Sequence, residues 1–247
     1  MGKVLKKLIC KIADFVVEFL NLSLDSQKYF ENFLSGDTPE VSFEISEQDI
    51  QFEINAVEGK CTRINAELAA ALRKFAYWML DSKAFLLHSS LIEVNGTGVC
   101  FAAPSGTGKT THTRLWQQLL GDNMTIINGD KPIIRFFENQ NYPIGYGTPW
   151  CGKERYGING KVPIKHICFI ERSDKNICEK LEVSEILQLF FKQIFIKRQN
   201  PAMVSKTLKL ADMFLNNLSV WKIKCNMDIS AAEVSYNTIF KENTNET

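Results

Sequence analysis

The chain has 247 residues, of which 45% are hydrophobic and 23% charged, enough for one large domain or one and a half. Its 29 basic and 28 acidic residues nearly cancel, and no basic stripe stands out, which argues against a nucleic-acid partner. The seven cysteines stand singly, without a Cys-x-x-Cys pair, so we expect reduced thiols rather than disulfides or a zinc site.

The N-terminal segment 1–22 combines an early basic cluster with a partly apolar run, as a signal peptide does. Lys11, Asp14 and Glu18 interrupt that run, and no small-residue cleavage site follows. No other window approaches twenty uncharged apolar residues. The sequence therefore predicts a cytoplasmic protein without a membrane partner and leaves a homo-oligomer open.

Residues 1–84 carry no chemical motif and are predicted to form a small accessory α+β region. The apolar residues between 5 and 19 have helical spacing, but the run 12–19 would also serve as a strand, and periodicity does not decide between them. The runs 41–45 and 50–54 are predicted as short strands around a polar turn. A strong helix is then expected over 66–80, with Asn65 as its cap.

Residues 85–247 are predicted to form a second, larger unit that begins with strands. The run 84–94, the dipeptide Asn95-Gly96 and the run 97–103 indicate a β-hairpin. A helix from about Lys109 to Leu120 follows, ending near Gly121.

The remaining elements follow from periodicity and from glycine and proline positions. They are a strand over 124–128, a strand after Pro132, a loop over 145–160, a strand over 164–171, helices over 183–197 and 202–216, a strand over 219–224 and a helix over 229–241.

The stretch FAAPSGTGKTTHTRLW, Phe101 to Trp116, lies between an apolar strand and a helical pattern. It follows the phosphate-binding loop pattern, except that Ala103 stands at the first glycine position. Gly106 and Gly108 permit backbone conformations in which several N–H groups converge on one anion. The predicted nucleotide-binding residues are Ser105, Gly106, Thr107, Gly108, Lys109, Thr110 and Thr111.

Within this loop, Lys109 would place its charge on the β- and γ-phosphates, and the Thr110 hydroxyl would bind Mg²⁺. The second expected metal ligand is Asp130, which follows the apolar run Ile126-Ile127 in TIINGDKPIIR. Such a carboxylate can hold Mg²⁺ or accept a proton from an attacking hydroxyl. A plain turn aspartate before Pro132 is the alternative interpretation.

Two further side chains are predicted catalytic candidates together with Asp130. His88 lies in the strand run before the loop, where a hydrogen-bonded core histidine is equally consistent with the pattern. Lys153, in the loop YGTPWCGKERYG with the exposed-looking Trp150 and with Arg155, could neutralise charge on a transferring phosphoryl group. A solvated basic loop is the alternative there.

Three stretches, LLHSSLIEVNGTGVCFAAPSGTGKTTHTRLW, INGDKPIIR and YGTPWCGKE, carry a family resemblance. Through them residues 85–240 resemble the HPr kinase/phosphorylase-related branch of the phosphoenolpyruvate carboxykinase-like P-loop superfamily. The resemblance implies an α/β fold that leans to α+β, with a hairpin-led mixed sheet, a P-loop and flanking helices. It also implies ATP or another phosphate donor, Mg²⁺, and a serine hydroxyl as acceptor.

Residue by residue, His88 matches the family's histidine upstream of the P-loop, and Asp130 matches the second of two adjacent acids. Gly129 replaces the first acid, so Asp130 would serve both the metal and the acceptor. Thr111 replaces the acid that follows the Ser/Thr in HPr kinases.

The sequence thus predicts an ATP- and Mg²⁺-dependent kinase that phosphorylates a hydroxyl, with a serine of a protein or peptide as the expected acceptor. The alternatives are a kinase for a small molecule such as free serine, and a nucleotide-binding sensor or assembly protein without transfer activity.

Overall fold

The computed structural model describes residues 7–57, 59–181, 183–196 and 200–241. Within these ranges the protein is a mixed α/β structure with a three-stranded sheet near the N-terminus and a nine-stranded sheet beyond it. Helices flank the larger sheet, which combines parallel and antiparallel pairs. The predicted fold class is confirmed.

The strands are β1 (Lys7–Ile12), β2 (Phe15–Leu20), β3 (Val41–Glu44), β4 (Ala84–Leu86), β5 (Ser89–Val94), β6 (Thr97–Ala102), β7 (Met124–Asn128), β8 (Ile133–Arg135), β9 (Ile144–Tyr146), β10 (Lys161–Arg172), β11 (Ile177–Lys180) and β12 (Ser219–Cys225). The α-helices are α1 (Leu24–Gln27), α2 (Glu47–Ala56), α3 (Arg63–Trp78), α4 (Lys109–Leu120), α5 (Val183–Phe190), α6 (Pro201–Leu215) and α7 (Ile229–Lys241).

The ambiguous apolar residues near the N-terminus form strands. β1 and β2 pair as an antiparallel hairpin, and β3 lies parallel to β2. Ala13 and Asp14, at the turn, have φ values of 52° and 61°, the left-handed conformation that a two-residue hairpin turn demands. Leu5, part of the same apolar pattern, lies outside the described residues.

The predicted strand over 50–54 is wrong, because this segment belongs to helix α2. Ser46 caps the helix by accepting a hydrogen bond from the amide of Asp49, whose side chain accepts one from the amide of Ser46 at 3.0 Å. This reciprocal capping box fixes a helix start that the short apolar run could not indicate.

The cap of α3 also differs from the prediction. Helix α3 begins at Arg63, and the Thr62 hydroxyl accepts a hydrogen bond from the amide of Asn65 at 3.2 Å. The N-cap is therefore Thr62, and Asn65 lies in the first turn of the helix with its amide bonded to that cap.

The hairpin that leads into the predicted P-loop is confirmed. β5 and β6 pair antiparallel around Asn95 and Gly96, whose φ values are 50° and 74°. The run 84–94, however, is two strands: β4 pairs with β8, whereas β5 pairs with β6 and β7. His88 lies in the short link between them, so the prediction that it lies within a strand is wrong.

On the far side of β6 the sheet is parallel, with β10 next to β6 and β12 next to β10. Helix α4 follows the predicted P-loop and ends at Leu120, with Gly121 as its C-cap, as predicted. The helix predicted over 183–197 is shorter, since α5 ends at Phe190 and a turn follows; residues 197–199 lie outside the described ranges. The predicted loop over 145–160 includes the last residues of β9, and β11 was not predicted.

The N-terminal elements share one apolar cluster with part of the larger sheet. In it the rings of Phe19, Phe30 and Phe75 pack around Trp150, and Ile133 belongs to the same cluster. The division of the chain at residue 84 stays a prediction. Among the described residues, no helix combines the length and apolar character needed to cross a membrane.

Candidate functional site

The turn before α4 has the backbone that the P-loop pattern predicts. Gly106 and Gly108 have φ values of 77° and 130°, and a Cβ at either position would have nothing within 4 Å. Glycine is therefore needed there for its backbone conformation and not for space. Helix α4 begins without a side-chain cap, whereas α2 and α3 each have one. Its first N–H groups thus lack a side-chain acceptor, as an anion site requires.

Arg172, at the end of β10, holds the carbonyl side of this turn. Its Nε donates to the carbonyl oxygen of Thr107 at 3.0 Å, and its Nη2 donates to that of Gly106. Within a trans peptide group the C=O and N–H point in opposite directions. Because Arg172 binds the Thr107 carbonyl, the amide of Gly108 points the other way.

The turn forms one wall of a cleft of about 880 Å³, which we call the main cleft. Of the predicted nucleotide-binding residues, all but Thr107 line it. All three predicted catalytic candidates line it as well: His88, Asp130 and Lys153. Thr107 instead lines a second cavity, together with Arg172.

Lys109 is buried at the floor of the main cleft. Its Nζ donates to the carbonyl oxygen of Ala103 at 3.0 Å and lies 2.7 Å from Nε2 of His88. Burial lowers the pKa of Lys109 to about 8, although the nearby carboxylate of Asp130 favours its charged form. A bound polyanion would restore that charged form.

His88 is held in place by a residue that the sequence gave no reason to select. Its Nδ1 lies 3.1 Å from Oε1 of Gln193, and its backbone N–H donates to the carbonyl oxygen of Gln193 at 2.7 Å. Gln193 is 3% exposed. The two contacts orient the imidazole so that Nε2 faces Lys109 and Asp130.

Asp130 completes this cluster. Its Oδ1 lies 3.2 Å from Nε2 of His88, and its Oδ2 is paired with Nζ of Lys131. Burial tends to raise the pKa of Asp130, but the hydrogen bond with His88 and the Lys131 charge outweigh it and hold the pKa below its usual range. Asp130 is thus ionised at neutral pH. We call Lys109, His88 and Asp130 the cleft cluster.

The position of Asp130 is set by Asn128, which is fully buried at the end of β7. The Asn128 Oδ1 accepts hydrogen bonds from the amides of Asp130 and Lys131 at 2.9 and 2.7 Å, and its Nδ2 donates to Oγ1 of Thr148. The turn interpretation of Asp130 is therefore correct for the backbone. It does not exclude function, since the turn directs the carboxylate into the main cleft.

Gly129 cannot be exchanged for an acidic residue without moving the neighbouring loop. A Cβ at this position would lie 2.7 Å from the carbonyl oxygen of Cys151 and 3.2 Å from that of Tyr156. The amide of Gly129 donates to the Tyr156 carbonyl at 2.7 Å. Close packing between β7 and the loop therefore leaves no room for a side chain at Gly129 beside Asp130.

That loop presents its charged residues to the cleft but buries its tryptophan. Lys153 and Arg155 are exposed and line the cleft, which is compatible with both interpretations of this loop. Trp150 is 7% exposed, and its Nε1 donates to the carbonyl oxygen of Leu68 in α3. The prediction of an exposed Trp150 is wrong, because the indole packs against Phe19, Phe30 and Phe75 in the apolar cluster of the N-terminal elements.

The N-terminal region supplies a second part of the wall of the main cleft. Tyr29 and residues of α3, including Asn65, Leu68 and Leu72, line it. Arg155 joins the two walls, because its guanidinium lies over the Tyr29 ring at 4.6 Å and donates to the carbonyl oxygen of Lys28. Residues 1–84 thus contribute directly to the site.

The two remaining histidines have ordinary structural surroundings, as predicted. The Nε2 of His112 accepts from Nε1 of Trp116 at 3.1 Å and lies 3.3 Å from the Ser235 hydroxyl. His166 accepts from Nε1 of Trp221 at 3.2 Å. In the part of the chain that the structure describes, no group of three or more His, Cys, Asp or Glu residues is arranged to hold a metal ion.

No protein-family model matches the chain, and no curated protein matches it. Among solved structures, the chain is similar to the Hpr(Ser) kinase/phosphatase from Coxiella burnetii, with 10% sequence identity and a TM-score of 0.36. The match covers 64% of this chain and 93% of that one. A similarity of this extent assigns neither a family nor an activity. The roles of the site residues therefore stay predictions, supported by the geometry above.

Proposed function

We propose that this protein is an ATP- and Mg²⁺-dependent kinase that transfers the γ-phosphoryl group to a hydroxyl, with a serine of a protein or peptide as the favoured acceptor. The observation that carries the proposal is the cleft cluster. A lysine that opens a P-loop helix contacts a histidine at 2.7 Å, and that histidine contacts an ionised carboxylate at 3.2 Å, all facing one cleft.

In this proposal the P-loop holds the phosphate chain. The uncapped N–H groups of α4 and the amide of Gly108 face the phosphate oxygens. Lys109 leaves the carbonyl of Ala103 and places its ammonium on the β- and γ-phosphates. The exchange is favourable because a buried, weakly satisfied cation gains a polyanionic partner.

Thr110 and Asp130 are the residues that would hold a magnesium ion, with Asp130 giving up its contact with Lys131 or His88 to do so. Both line the main cleft, and a hydroxyl and an ionised carboxylate are the hard oxygen ligands that Mg²⁺ prefers. Mg²⁺ usually takes one or two protein oxygens together with phosphate oxygens and water, so two ligands are sufficient. The metal would supply neutralisation of charge on the β- and γ-phosphates.

The transfer step joins the acceptor oxygen to the γ-phosphorus and breaks the bond from that phosphorus to the β–γ bridging oxygen. ADP leaves with the bonding electrons, and the acceptor proton passes to the cleft cluster. Asp130 accepts it directly, or His88 does once Lys109 has moved to the phosphates and freed its Nε2. Lys153, exposed at the edge of the cleft, stabilises charge on the moving phosphoryl group.

The acceptor would lie between the P-loop and the N-terminal wall. Tyr29 and the α3 residues line the main cleft together with the P-loop residues, Lys153 and Arg155. This arrangement gives residues 1–84 a role in acceptor binding.

The test measures ADP formation and transfer from γ-labelled ATP to candidate acceptors: free serine, serine-containing peptides and the protein itself. We compare the wild type with Lys109→Ala and Asp130→Asn. The proposal expects activity in the wild type and its loss in both variants. Equal activity in the three proteins would end it.

A nucleotide-binding sensor without transfer activity is the second candidate, favoured by the packing at Gly129. The family pattern has two adjacent acids, and here the close contact with Cys151 leaves room for one. Tight ATP binding by the wild type, without ADP formation in the presence of every acceptor tried, would support the sensor over the kinase.

A further inference from the structure

We propose that Gln193 is a positioning residue for phosphoryl transfer, which keeps a proton on Nδ1 of His88 so that Nε2 is the ring nitrogen that takes up the acceptor's proton. Gln193 is buried just beyond the end of α5, and it contacts His88 through both its side chain and its backbone. This inference rests on the proposed function, because it assigns a role in the transfer step.

The contact between the two side chains determines which nitrogen of the imidazole carries a hydrogen. Nδ1 of His88 lies 3.1 Å from Oε1 of Gln193, and an amide oxygen can only accept a hydrogen bond. Nδ1 must therefore carry the hydrogen. In a histidine, the hydrogen bond made by one ring nitrogen sets the state of the other. Nε2 is thus the nitrogen that is left to accept a proton from the cleft.

Lys109 supports this assignment independently. Its Nζ lies 2.7 Å from Nε2 of His88, so a single proton lies between these two nitrogens. If Nε2 carried the only hydrogen of the ring, that N–H would face the lysine ammonium, and two donors would meet. Wherever the shared proton lies, the hydrogen on Nδ1 belongs to the contact with Gln193.

The backbone around His88 is fixed by main-chain contacts with two distant segments. The N–H of His88 donates to the carbonyl oxygen of Gln193 at 2.7 Å, and Leu87 pairs with Ile194 in an isolated bridge. The N–H of Leu87 also donates to the carbonyl oxygen of Pro132 at 3.2 Å. Because these contacts use main-chain atoms, a change of the Gln193 side chain leaves them in place and acts on the imidazole.

In the transfer step the O–H bond of the acceptor breaks while its oxygen bonds to the γ-phosphorus. Lys109 has by then moved to the phosphates, so Nε2 of His88 has a free lone pair. The acceptor proton reaches Nε2 directly or through Oδ1 of Asp130, which lies 3.2 Å away. His88 becomes an imidazolium whose Nδ1–H still donates to Gln193, and it loses the added proton to solvent after the products leave. In the opposite tautomer Nε2 already carries a hydrogen and cannot take up the proton.

The kinetic test compares Gln193→Met and Gln193→Glu with the wild type, using γ-labelled ATP and an acceptor that the wild type phosphorylates. Methionine has the length of glutamine without an acceptor oxygen, so kcat should fall about tenfold or more while the KM for ATP is unchanged. Glutamate keeps an oxygen that accepts from Nδ1–H, so it should retain most of the wild-type kcat.

Gln51→Met is the matched control for the loss of a glutamine hydrogen bond. Nε2 of Gln51 donates to Oδ1 of Asn55 at 2.9 Å on an exposed face of α2, and neither residue lines the main cleft. This variant should have the kcat of the wild type.

NMR of protein with isotope-labelled histidine nitrogens shows the tautomer directly and needs no nucleotide. The chain has three histidines, and the other two serve as references. Nε2 of His112 accepts from a tryptophan indole, so its hydrogen lies on Nδ1. Nδ1 of His166 accepts from another indole, so its hydrogen lies on Nε2. Burial lowers the pKa of each to about 4, and both are therefore neutral at neutral pH.

The spectra are compared in Lys109→Met, which removes the lysine donor, and in the same protein with Gln193→Met added. In the first protein Nδ1 of His88 should remain protonated. In the second, Nδ1 has lost its acceptor, and the hydrogen should move to Nε2, where the Asp130 carboxylate accepts it. If Nδ1 stays protonated in the double variant, the inference is overturned.

Three kinetic results would also overturn it. They are an unchanged kcat in Gln193→Met, equal losses in the methionine and glutamate variants of Gln193, and an equal loss in Gln51→Met. Failure of the proposed function looks different. A wild type that phosphorylates no acceptor removes the role in transfer together with the kinase, whereas the spectra still show whether Gln193 sets the proton of His88.

Discussion

Two hydrogen-bonded clusters of this protein are centred on histidines, His88 and His112, that lie 24 residues apart in sequence. They differ in their surroundings and in their charge. The cleft cluster of Lys109, His88 and Asp130 faces an open cleft. The cluster of His112, Trp116 and Ser235, which we call the sealed cluster, lies between α4 and α7 and is buried. Both consist of a histidine between two hydrogen-bonding partners.

The clusters differ in charge balance. In the sealed cluster, Trp116 donates to His112 and to Ser235, and the Ser235 hydroxyl donates to the carbonyl oxygen of Ala231. Burial lowers the pKa of His112 to about 4, so the cluster is neutral. The cleft cluster instead holds an ionised carboxylate and a lysine whose pKa is lowered to about 8. A neutral, satisfied network stabilises a fold, whereas buried charges that face a cleft are suited to a charged ligand.

The largest expected effect is on the chemistry of the cleft cluster. Asp130→Asn keeps the size of the side chain but removes the charge and the proton acceptor. We expect the transfer rate to fall by roughly 10²–10⁴-fold, the usual contribution of a general base. The variant should stay folded but lose some thermal stability, because it no longer has the ionic contacts with His88 and Lys131; calorimetry on the same samples checks this. A variant that loses its fold together with its activity would mean that the cleft cluster is structural, like the sealed one.

A second acid next to Asp130 should be rejected by the packing around it. In Gly129→Ala the new Cβ would meet the carbonyl of Cys151 at 2.7 Å, so we expect a loss of about 3 kcal/mol in the free energy of unfolding. Gly36→Ala is the control, because a Cβ there has nothing within 4 Å and its φ is not positive. Denaturant unfolding of both variants gives the comparison. If Gly129→Ala is as stable as the wild type, the loop accommodates the added Cβ. Packing would then not be the reason why Asp130 has no acidic neighbour at position 129.

The sealed cluster should show the opposite signature. His112→Ala leaves a cavity beside Trp116, and we expect it to cost about 2 kcal/mol of unfolding free energy. The ATP affinity of the folded protein should remain that of the wild type. Urea unfolding and calorimetric titration of the same preparation test both statements. A large loss of ATP affinity without loss of stability would assign His112 to the functional site.

The smallest expected effect is a change in the free energy of unfolding with pH, caused by His166. Burial, with help from the Lys165 charge, lowers the pKa of His166 to about 4, compared with about 6.5 in an unfolded chain. Between these pH values the unfolded state binds a proton that the folded state does not, so stability falls as the pH drops from 6.5 to 4. The His166 contribution is about 2 kcal/mol over this window.

His166→Gln retains an acceptor for the Trp221 indole without the titrating ring. Its unfolding free energy should therefore fall less than that of the wild type between pH 6.5 and pH 4. If the unfolding free energies of the two proteins fall equally between pH 6.5 and pH 4, protonation of His166 does not contribute to the pH dependence of stability.

Local signals in the sequence account for much of the fold near the P-loop. Asn95-Gly96, the glycines at 106 and 108, and Gly121 each fix a backbone conformation within a few residues, so the hairpin, the turn and α4 could be predicted. The helix α2 could not, because its apolar run is short and its capping box uses Asp49 rather than the usual glutamate or glutamine.

The parts of the site that were missed depend on contacts between distant segments. Gln193 holds His88 across 105 residues, and no periodicity or spacing indicates such a pair. Trp150 looked exposed because its glycine-rich loop gives no sign of the aromatic cluster that receives it. The clash that excludes an acid at Gly129 likewise appears only when β7 and the loop are seen together.

The central claim is that the turn at Gly106 and Gly108, with Lys109, binds a triphosphate at the start of α4. Isothermal titration calorimetry of magnesium tripolyphosphate with the wild type and with Lys109→Met tests it most directly. Methionine keeps the buried stem of the lysine without its charge. We predict binding by the wild type and a loss of affinity of about 100-fold or more in the variant. Equal affinity in the two proteins, or no binding by either, would contradict the account.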